Sequence, residues 1–181
     1  ELLKARPAFF DSSGMRVEQH FATSKDGTRV PYFVVWPKGA SADGNNPTLL
    51  YGYASYGITE EPRFSYSRLG WMAAGGVPAA ANPRGSGVFG REWQEAGKQA
   101  TKPNTWRDFI ACAEWLVREK WTQPSKLAIW GGSAGGILVG RAMTSYLAGR
   151  FAGLVASLLV ASIVIFFVLE VLPGDPAQFI L

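Results

Sequence analysis

The feature that most constrains this 181-residue chain is an apolar segment that runs directly into a glycine-flanked serine. Residues 127–130 predict an apolar strand, and a helix is predicted to begin immediately after Ser133. A G-x-S-x-G pattern between a strand and a helix predicts a nucleophile elbow, a sharp turn that exposes the serine hydroxyl at the edge of a sheet. Small neighbours let the strand and the helix pass close on either side. The candidate elbow glycines are Gly131, Gly132, Gly135 and Gly136.

Ser133 is therefore the candidate catalytic nucleophile. The backbone N–H of Ala134 would point from the start of the following helix toward an oxyanion. The alternative interpretation is a glycine-rich turn with an incidental serine, because the bare pattern often occurs by chance. An elbow serine also needs an aspartate and then a histidine later in the chain. No histidine follows Ser133.

The one histidine, His20, lies on a predicted strand upstream of the serine. That is the wrong order for a base serving an elbow serine. We therefore expect His20 to be a surface or packing residue.

The remaining pattern alternates strands with helices. An Asp-Gly pair at 26–27 predicts a hairpin turn. The strand-helix order after it predicts a parallel sheet with helices on both faces, an α/β fold of the doubly wound, mostly parallel type. The predicted strands are 15–23, 28–36, 48–53, 77–81 and 127–130, and the predicted helices are 64–74 and 105–120.

Two local patterns concern the longer helix and the segment before it. Thr105 and Asp108 resemble a capping box, with aspartate in place of glutamate. Residues 85–90 match G-x-G-x-x-G. We reject a dinucleotide loop there because residues 82–84 separate it from the preceding strand, and because the nearest acid, Asp108, lies within a predicted helix.

Composition narrows the classes further. The chain is 48% hydrophobic and 18% charged, which is ample for a core. The net charge is +4, but Lys and Arg are scattered, so we expect no nucleic-acid partner. A single cysteine, Cys112, excludes an internal disulfide and a multi-cysteine metal site, and no cofactor or metal is expected. The chain opens on Glu1 without a signal-peptide pattern, which suggests a fragment.

Several motifs in order carry a family resemblance. From about residue 1 to 145 the chain resembles the catalytic domain of the prolyl oligopeptidase family of serine peptidases, which has an α/β-hydrolase fold. The Ser55-Tyr56-Gly57 and Ser-Ala-Gly-Gly forms are most similar to the oligopeptidase B branch. We accordingly assign residues 1–146 to a partial hydrolase domain. The carrying motifs are 24–28, 51–53, 84–87 with Phe89, Gly90 and Trp93, 108–111, and 131–136.

The resemblance implies roles for individual residues. Ser133 would attack short peptides and form an acyl-enzyme, and the Ala134 N–H and the Tyr53 hydroxyl would form the oxyanion hole. From position alone, Tyr53 could instead be a strand-end aromatic with a hydrated hydroxyl. The chain departs from the family pattern at Ala54, at Ser55 and at Val88. It also lacks the family's upstream propeller and the later Asp and His, so we expect the hydrolase part to be inactive. We expect this part to be cytoplasmic.

The C-terminal part changes character. Residues 151–169 contain no charged side chain, and apolar residues 171–172 follow Glu170. Because a bilayer takes about 20 mostly apolar residues, this predicts a transmembrane helix that contacts lipid through residues 151–172. A buried core helix is the alternative. Arg141 and Arg150 precede the span, so we expect a membrane-anchored chain with that side cytoplasmic.

The tail after this span has a resemblance of its own. With the Leu-Pro-Gly-Asp-Pro-Ala motif at 172–177, residues 147–181 resemble the first span of permease subunits of peptide-type ABC importers. A permease needs more spans and an ATPase, so we expect neither a permease partner nor an ATPase partner for this chain alone. The alternatives to a peptidase are thus a single-span membrane component, a permease remnant, or a chimeric chain with no selected function.

Overall fold

A computed structural model describes residues 10–63 and 65–171, which form two units divided between Ala142 and Met143. The elements lie close to the predicted ones, and the short helix α2 was not predicted. Single-turn 3-10 segments occupy Gln99–Thr101 and Pro124–Lys126. The strands are β1 Arg16–Thr23, β2 Arg29–Trp36, β3 Thr48–Gly52, β4 Val77–Ala81 and β5 Leu127–Trp130, and the helices are α1 Tyr66–Ala73, α2 Arg91–Glu95, α3 Pro103–Arg118 and α4 Ala134–Val171.

The five strands form one mixed sheet in the order β1-β2-β4-β3-β5. The prediction of a mostly parallel sheet is corrected: β1 and β2 are antiparallel, as are β2 and β4, whereas β3 is parallel to both β4 and β5. For β1 and β2 the physical reason is the hairpin. A tight turn, closed by the Gly27 N–H donating to the Ser24 carbonyl at 2.9 Å, can join only antiparallel strands.

Helices cover both faces of the sheet. Alternate side chains of β2 point to opposite faces, and they meet different helices. Phe33 and Val35 line a pocket with Met72 of α1. Tyr32 and Val34 are buried in the main core with Phe109 of α3.

The buried face of α3 is shifted from the predicted one. Phe109 and Leu116 are buried as expected, but Asp108 and Cys112 are fully buried with them, while Trp106 is only partly buried. A 3.6-residue periodicity of apolar side chains misses Asp108 because its burial depends on a distant charge.

The predicted capping box is wrong. Helix α3 begins at Pro103, and the Thr105 hydroxyl donates to the carbonyls of Arg84 (2.8 Å) and Gly97 (3.2 Å) instead of capping the helix. The Asp108 carboxylate accepts from Arg84 at Nε (2.8 Å) and at Nη2 (2.6 Å). Both side chains therefore fasten α3 to the segment that follows β4.

The elbow helix and the predicted transmembrane span are one continuous helix, α4. Within the described residues it is the one helix that could cross a membrane by length and composition, with a mean hydropathy of 2.8 over its most apolar window. None of that window is buried, although the core helix of a soluble protein can pass the same test of length and composition. The end of the predicted span beyond residue 171 and the permease-like motif at 172–177 lie outside the described residues.

We expect the stabilisation that the Asp26 carboxylate provides to disappear as the pH falls from 3.8 to about 2. Its pKa is lowered from 3.8 to about 2, chiefly because the Arg84 guanidinium hydrogen-bonds to it at 2.7 Å. A lowered pKa gives stability that is present above the unfolded-state pKa and is lost as the pH falls through the folded-state value.

Urea unfolding of the wild-type chain and Asp26→Asn in mild detergent, at near-neutral pH and near pH 2, measures this effect. The variant should be less stable at neutral pH and should converge with the wild type in acid. Glu61→Gln, the same change at an exposed carboxylate, is the control. A stability gap at Asp26 that persists unchanged in acid would contradict the expectation.

Candidate active site

The serine at the strand-to-helix turn has a strained backbone. Ser133 lies between the end of β5 and the start of α4 with φ +53°, in the left-handed region, and its side chain is exposed. A non-glycine residue held there costs about 1–3 kcal/mol and persists only where the surroundings enforce it. An exposed hydroxyl on an enforced, strained turn is the geometry that an elbow nucleophile requires.

Close backbone contacts require glycine at two of the four elbow positions. A Cβ on Gly135 would lie 2.5 Å from the Gly52 carbonyl oxygen, and a Cβ on Gly131 would collide with the Gly135 carbonyl. Gly132 has open space around it, and a Cβ on Gly136 would lie 3.6 Å from its nearest neighbour. The requirement for small residues thus comes from the passage of the elbow over the end of β3.

The sheet topology brings Tyr53 to the same edge as Ser133. The crossover through α1 leads from β3 to β4 on one side, and α3 then leads to β5 on the other side of β3. Ligands of α/β sheets bind at such switch points, beyond the carboxyl ends of the strands. A Cβ on Gly135 would lie 3.3 Å from the Tyr53 Cα, so the main chains of the elbow and of Tyr53 are adjacent.

The Ala134 N–H is the first of α4. The first four N–H groups of a helix have no partner within the helix, so this N–H is available to an acceptor at the turn. The Tyr53 side chain is half-buried. An amide and a phenol at one sheet edge can both donate to a developing alkoxide without adding net charge.

The loop after Tyr53 is also strained, which the sequence patterns did not reveal. Ala54 (φ +54°), Tyr56 (φ +57°) and Gly57 (φ +68°) are all left-handed, and Ala54 is buried. The Gly57 N–H donates to the Gly85 carbonyl at 3.3 Å. We refer to residues 53–57 as the tyrosine loop.

Packing against the tyrosine loop accounts for two of the glycines at 85–90, Gly85 and Gly87. A Cβ on Gly85, which has φ +103°, would lie 2.5 Å from the Ala54 carbonyl oxygen. A Cβ on Gly87 would collide with the Gly57 carbonyl. These glycines permit close approach of two loops, which explains the G-x-G spacing without a phosphate ligand.

Lys102 is a second feature that the sequence patterns missed. Its Nζ donates to the Ala54 carbonyl at 2.9 Å and to the Ser55 hydroxyl at 3.0 Å. Partial burial lowers the pKa of Lys102. A lysine at the start of α3 therefore holds the tyrosine loop directly.

His20 lies away from this edge. Three strands separate β1 from β5, which is about 19 Å across the sheet at about 4.8 Å per strand. The ring of His20 lies 3.1 Å from a Glu18 carboxylate oxygen and packs edge-on against Trp121, with 4.4 Å between ring centroids. These contacts favour the interpretation of His20 as a packing residue.

Cys112 is fully buried in the core, and burial raises the pKa of its thiol. Such a thiol is a small packing group and not a nucleophile. Among the described residues no cluster of three or more His, Cys, Asp or Glu side chains could hold a metal ion.

The fold defines a class, an α/β-hydrolase catalytic domain, with the candidate nucleophile Ser133 at its strand-to-helix turn. The sequence profile of the prolyl oligopeptidase family matches residues 62–170, more than half of the chain. The chain therefore belongs to the prolyl oligopeptidase family of serine peptidases.

Individual relatives agree with this assignment. The chain is 43% identical over 127 residues to a prolyl endopeptidase of Elizabethkingia meningoseptica, covering 70% of this chain and 18% of that protein. It is 46% identical over 131 residues to Protease 2 of Moraxella lacunata, covering 72% and 19%. The structure of oligopeptidase B from Leishmania major superposes with a TM-score of 0.71 at 45% identity, over 74% of this chain and 19% of that one.

The chain thus spans about a fifth of the length of the proteins it matches. The family match continues through residue 170, and the comparisons give no support to the predicted resemblance to an importer permease.

We expect Gly135→Ala to lower the free energy of unfolding by about 1–3 kcal/mol, since the added methyl group must displace the backbone at Gly52. Gly136→Ala, one residue along the same helix turn, is the matched control. It should leave stability unchanged or raise it by up to about 1 kcal/mol, because alanine favours the helix. Urea unfolding of the full chain measures both variants. Equal effects at the two positions would be inconsistent with close passage of the elbow over β3.

Proposed function

We propose that this chain is the nucleophile-bearing part of a serine peptidase that hydrolyses short peptides. One observation carries the proposal: Ser133 is held in a left-handed conformation at an exposed strand-to-helix turn, beside the main chain of Tyr53. The family assignment and the names of the relatives, which include a prolyl endopeptidase, support the choice of a peptide substrate.

In the proposed mechanism the Ser133 Oγ attacks the carbonyl carbon of the scissile peptide bond and its proton passes to a base. The carbonyl oxygen becomes an oxyanion that accepts hydrogen bonds from the Ala134 N–H and the Tyr53 hydroxyl. Collapse of this intermediate expels the amine with a proton and leaves an acyl-enzyme, which water then hydrolyses. The elbow glycines serve this chemistry by letting the hydroxyl project beyond the sheet.

The base is the missing component. The one histidine of the 181 residues, His20, lies about 19 Å across the sheet from β5. Loss of one triad member costs orders of magnitude in rate, although the oxyanion hole and substrate binding retain a residual acceleration. We therefore propose that this chain alone is inactive as a peptidase while its nucleophile site remains formed.

Chromatography of the reaction products should show no measurable turnover of short peptides by the purified chain. The same chain should be acylated slowly by p-nitrophenyl acetate, whose good leaving group needs less assistance from a base. Intact mass should show one acetyl group that is absent in Ser133→Ala and present in Ser41→Ala, a matched change at an exposed serine.

Either of two results would refute this account. Peptide turnover abolished by Ser133→Ala would show that a base is present after all. Acetylation that is unchanged in Ser133→Ala would show that the elbow serine is not the reactive group.

A second candidate function follows from α4. Its side chains from Phe151 to Leu169 are exposed, and they include many large apolar groups. Exposed apolar surface on this scale needs a covering. We propose, as the alternative to a peptidase, a single-span membrane component in which residues 147–181 anchor the hydrolase part, 1–146, on the cytoplasmic side. A permease remnant, or a joined chain without selected function, would carry the same helix.

Expression followed by carbonate extraction separates these possibilities. The alternative predicts that the full chain stays in the membrane pellet and that deletion of residues 151–172 releases it, because the deletion removes the lipid-facing segment. A full chain recovered in the carbonate supernatant would refute the membrane function and leave the peptidase proposal unaffected.

A further inference from the structure

The side chain of Lys102 has an unusual set of partners for a partly buried cation. Both hydrogen bonds of its Nζ go to neighbouring residues of one loop, to the carbonyl of Ala54 and to the hydroxyl of Ser55. Among the described residues, no carboxylate forms an ion pair with it. Removing an ammonium group from water costs free energy, and these two hydrogen bonds offset part of that cost.

The Ala54 carbonyl is enclosed from a second direction. Gly85 lies against it so closely that any side chain there would come within 2.5 Å of the oxygen. Ala54 itself is in the left-handed region, which a non-glycine residue leaves unless its surroundings hold it. The charged donor of Lys102 stabilises the carbonyl in this orientation.

The consequence reaches Tyr53, because Ala54 is the next residue. The left-handed backbone of Ala54 sets the direction in which the main chain leaves Tyr53, so a contact that holds Ala54 also holds the loop that carries the tyrosine. Lys102 is the N-cap residue of α3, whose first turn is fastened to the segment after β4 by the Thr105 hydroxyl. The lysine thus connects the tyrosine loop to a fixed helix end.

We propose that Lys102 is a positioning residue that holds the tyrosine loop so that the Tyr53 hydroxyl stays at the oxyanion hole. The proposal rests on the peptidase function proposed above. Lys102 does not touch the reacting atoms; it acts through Ala54 and Ser55.

The first test is amide hydrogen exchange on the full chain in detergent. Lys102→Met removes the charge and both hydrogen bonds while keeping a long apolar stem. Exchange at residues 54–58 should be at least about tenfold faster in this variant, while exchange in β3 and β4 stays unchanged. Lys98→Met, at an exposed lysine of the same segment, should match the wild type. Unchanged exchange in Lys102→Met would overturn the proposal.

The second test measures whether Lys102 affects the chemistry, through the rate of Ser133 acetylation by p-nitrophenyl acetate. Tyr53→Phe should lower this rate by about tenfold or more, because one oxyanion donor is lost. Lys102→Met should lower it several-fold, and the double variant should be no slower than Tyr53→Phe alone. Effects that multiply in the double variant would overturn the proposal.

The two tests also separate the failure of this proposal from failure of the proposed function. If Tyr53→Phe leaves the acetylation rate unchanged, Tyr53 is not an oxyanion donor and the catalytic role of Lys102 falls with it. If Tyr53→Phe lowers the rate and Lys102→Met does not, the oxyanion hole stands and only the positioning role of Lys102 is refuted.

Discussion

The buried ion pair between Arg84 and Asp108 is the interaction on which the arrangement of the site depends. The Arg84 side chain is 9% exposed and that of Asp108 is fully buried, and their hydrogen bonds raise the pKa of the arginine. Burying two charges is expensive unless they are paired and their remaining donors are satisfied. Here Arg84 also donates to Asp26 of the β1–β2 turn, so one side chain joins the hairpin, the segment after β4 and α3.

The Arg84–Asp108 pair fixes the position of the loops at the sheet edge where Ser133 and Tyr53 lie. The segment that begins with Arg84 presents glycines whose backbone packs against the tyrosine loop. The Thr105 hydroxyl donates to the Arg84 carbonyl, and Lys102, the N-cap residue of the same helix, reaches the loop. The end of β3 then supports the elbow through the contact between Gly52 and Gly135. The strain at Ser133 is thus supported by a chain of contacts that begins at a buried charge pair.

The sequence allowed accurate prediction of what depends on local pattern. The strands, the hairpin at Asp26 and Gly27, and the strand-to-helix turn at Ser133 follow from periodicity and from turn residues. The features that the sequence did not predict depend on partners far away in the chain. The capping-box interpretation of Asp108 is wrong because the residue that pairs with it lies 24 positions earlier. No local pattern reveals the role of Lys102, because its partners lie 47 and 48 positions away. The antiparallel pairing of β2 with β4 joins segments that no local pattern relates.

A double-mutant cycle on the Arg84–Asp108 pair tests this account most directly. The free energies of unfolding of the wild type, Arg84→Met, Asp108→Leu and the double variant would be measured in urea with the full chain. Arg84→Met leaves the buried Asp108 carboxylate without its partner and should cost about 3–5 kcal/mol. Asp108→Leu leaves Arg84 paired with Asp26 alone and should cost less, and the double variant should cost clearly less than the sum of the two. Single effects below about 1 kcal/mol that simply add would contradict the claim that this pair organises the site.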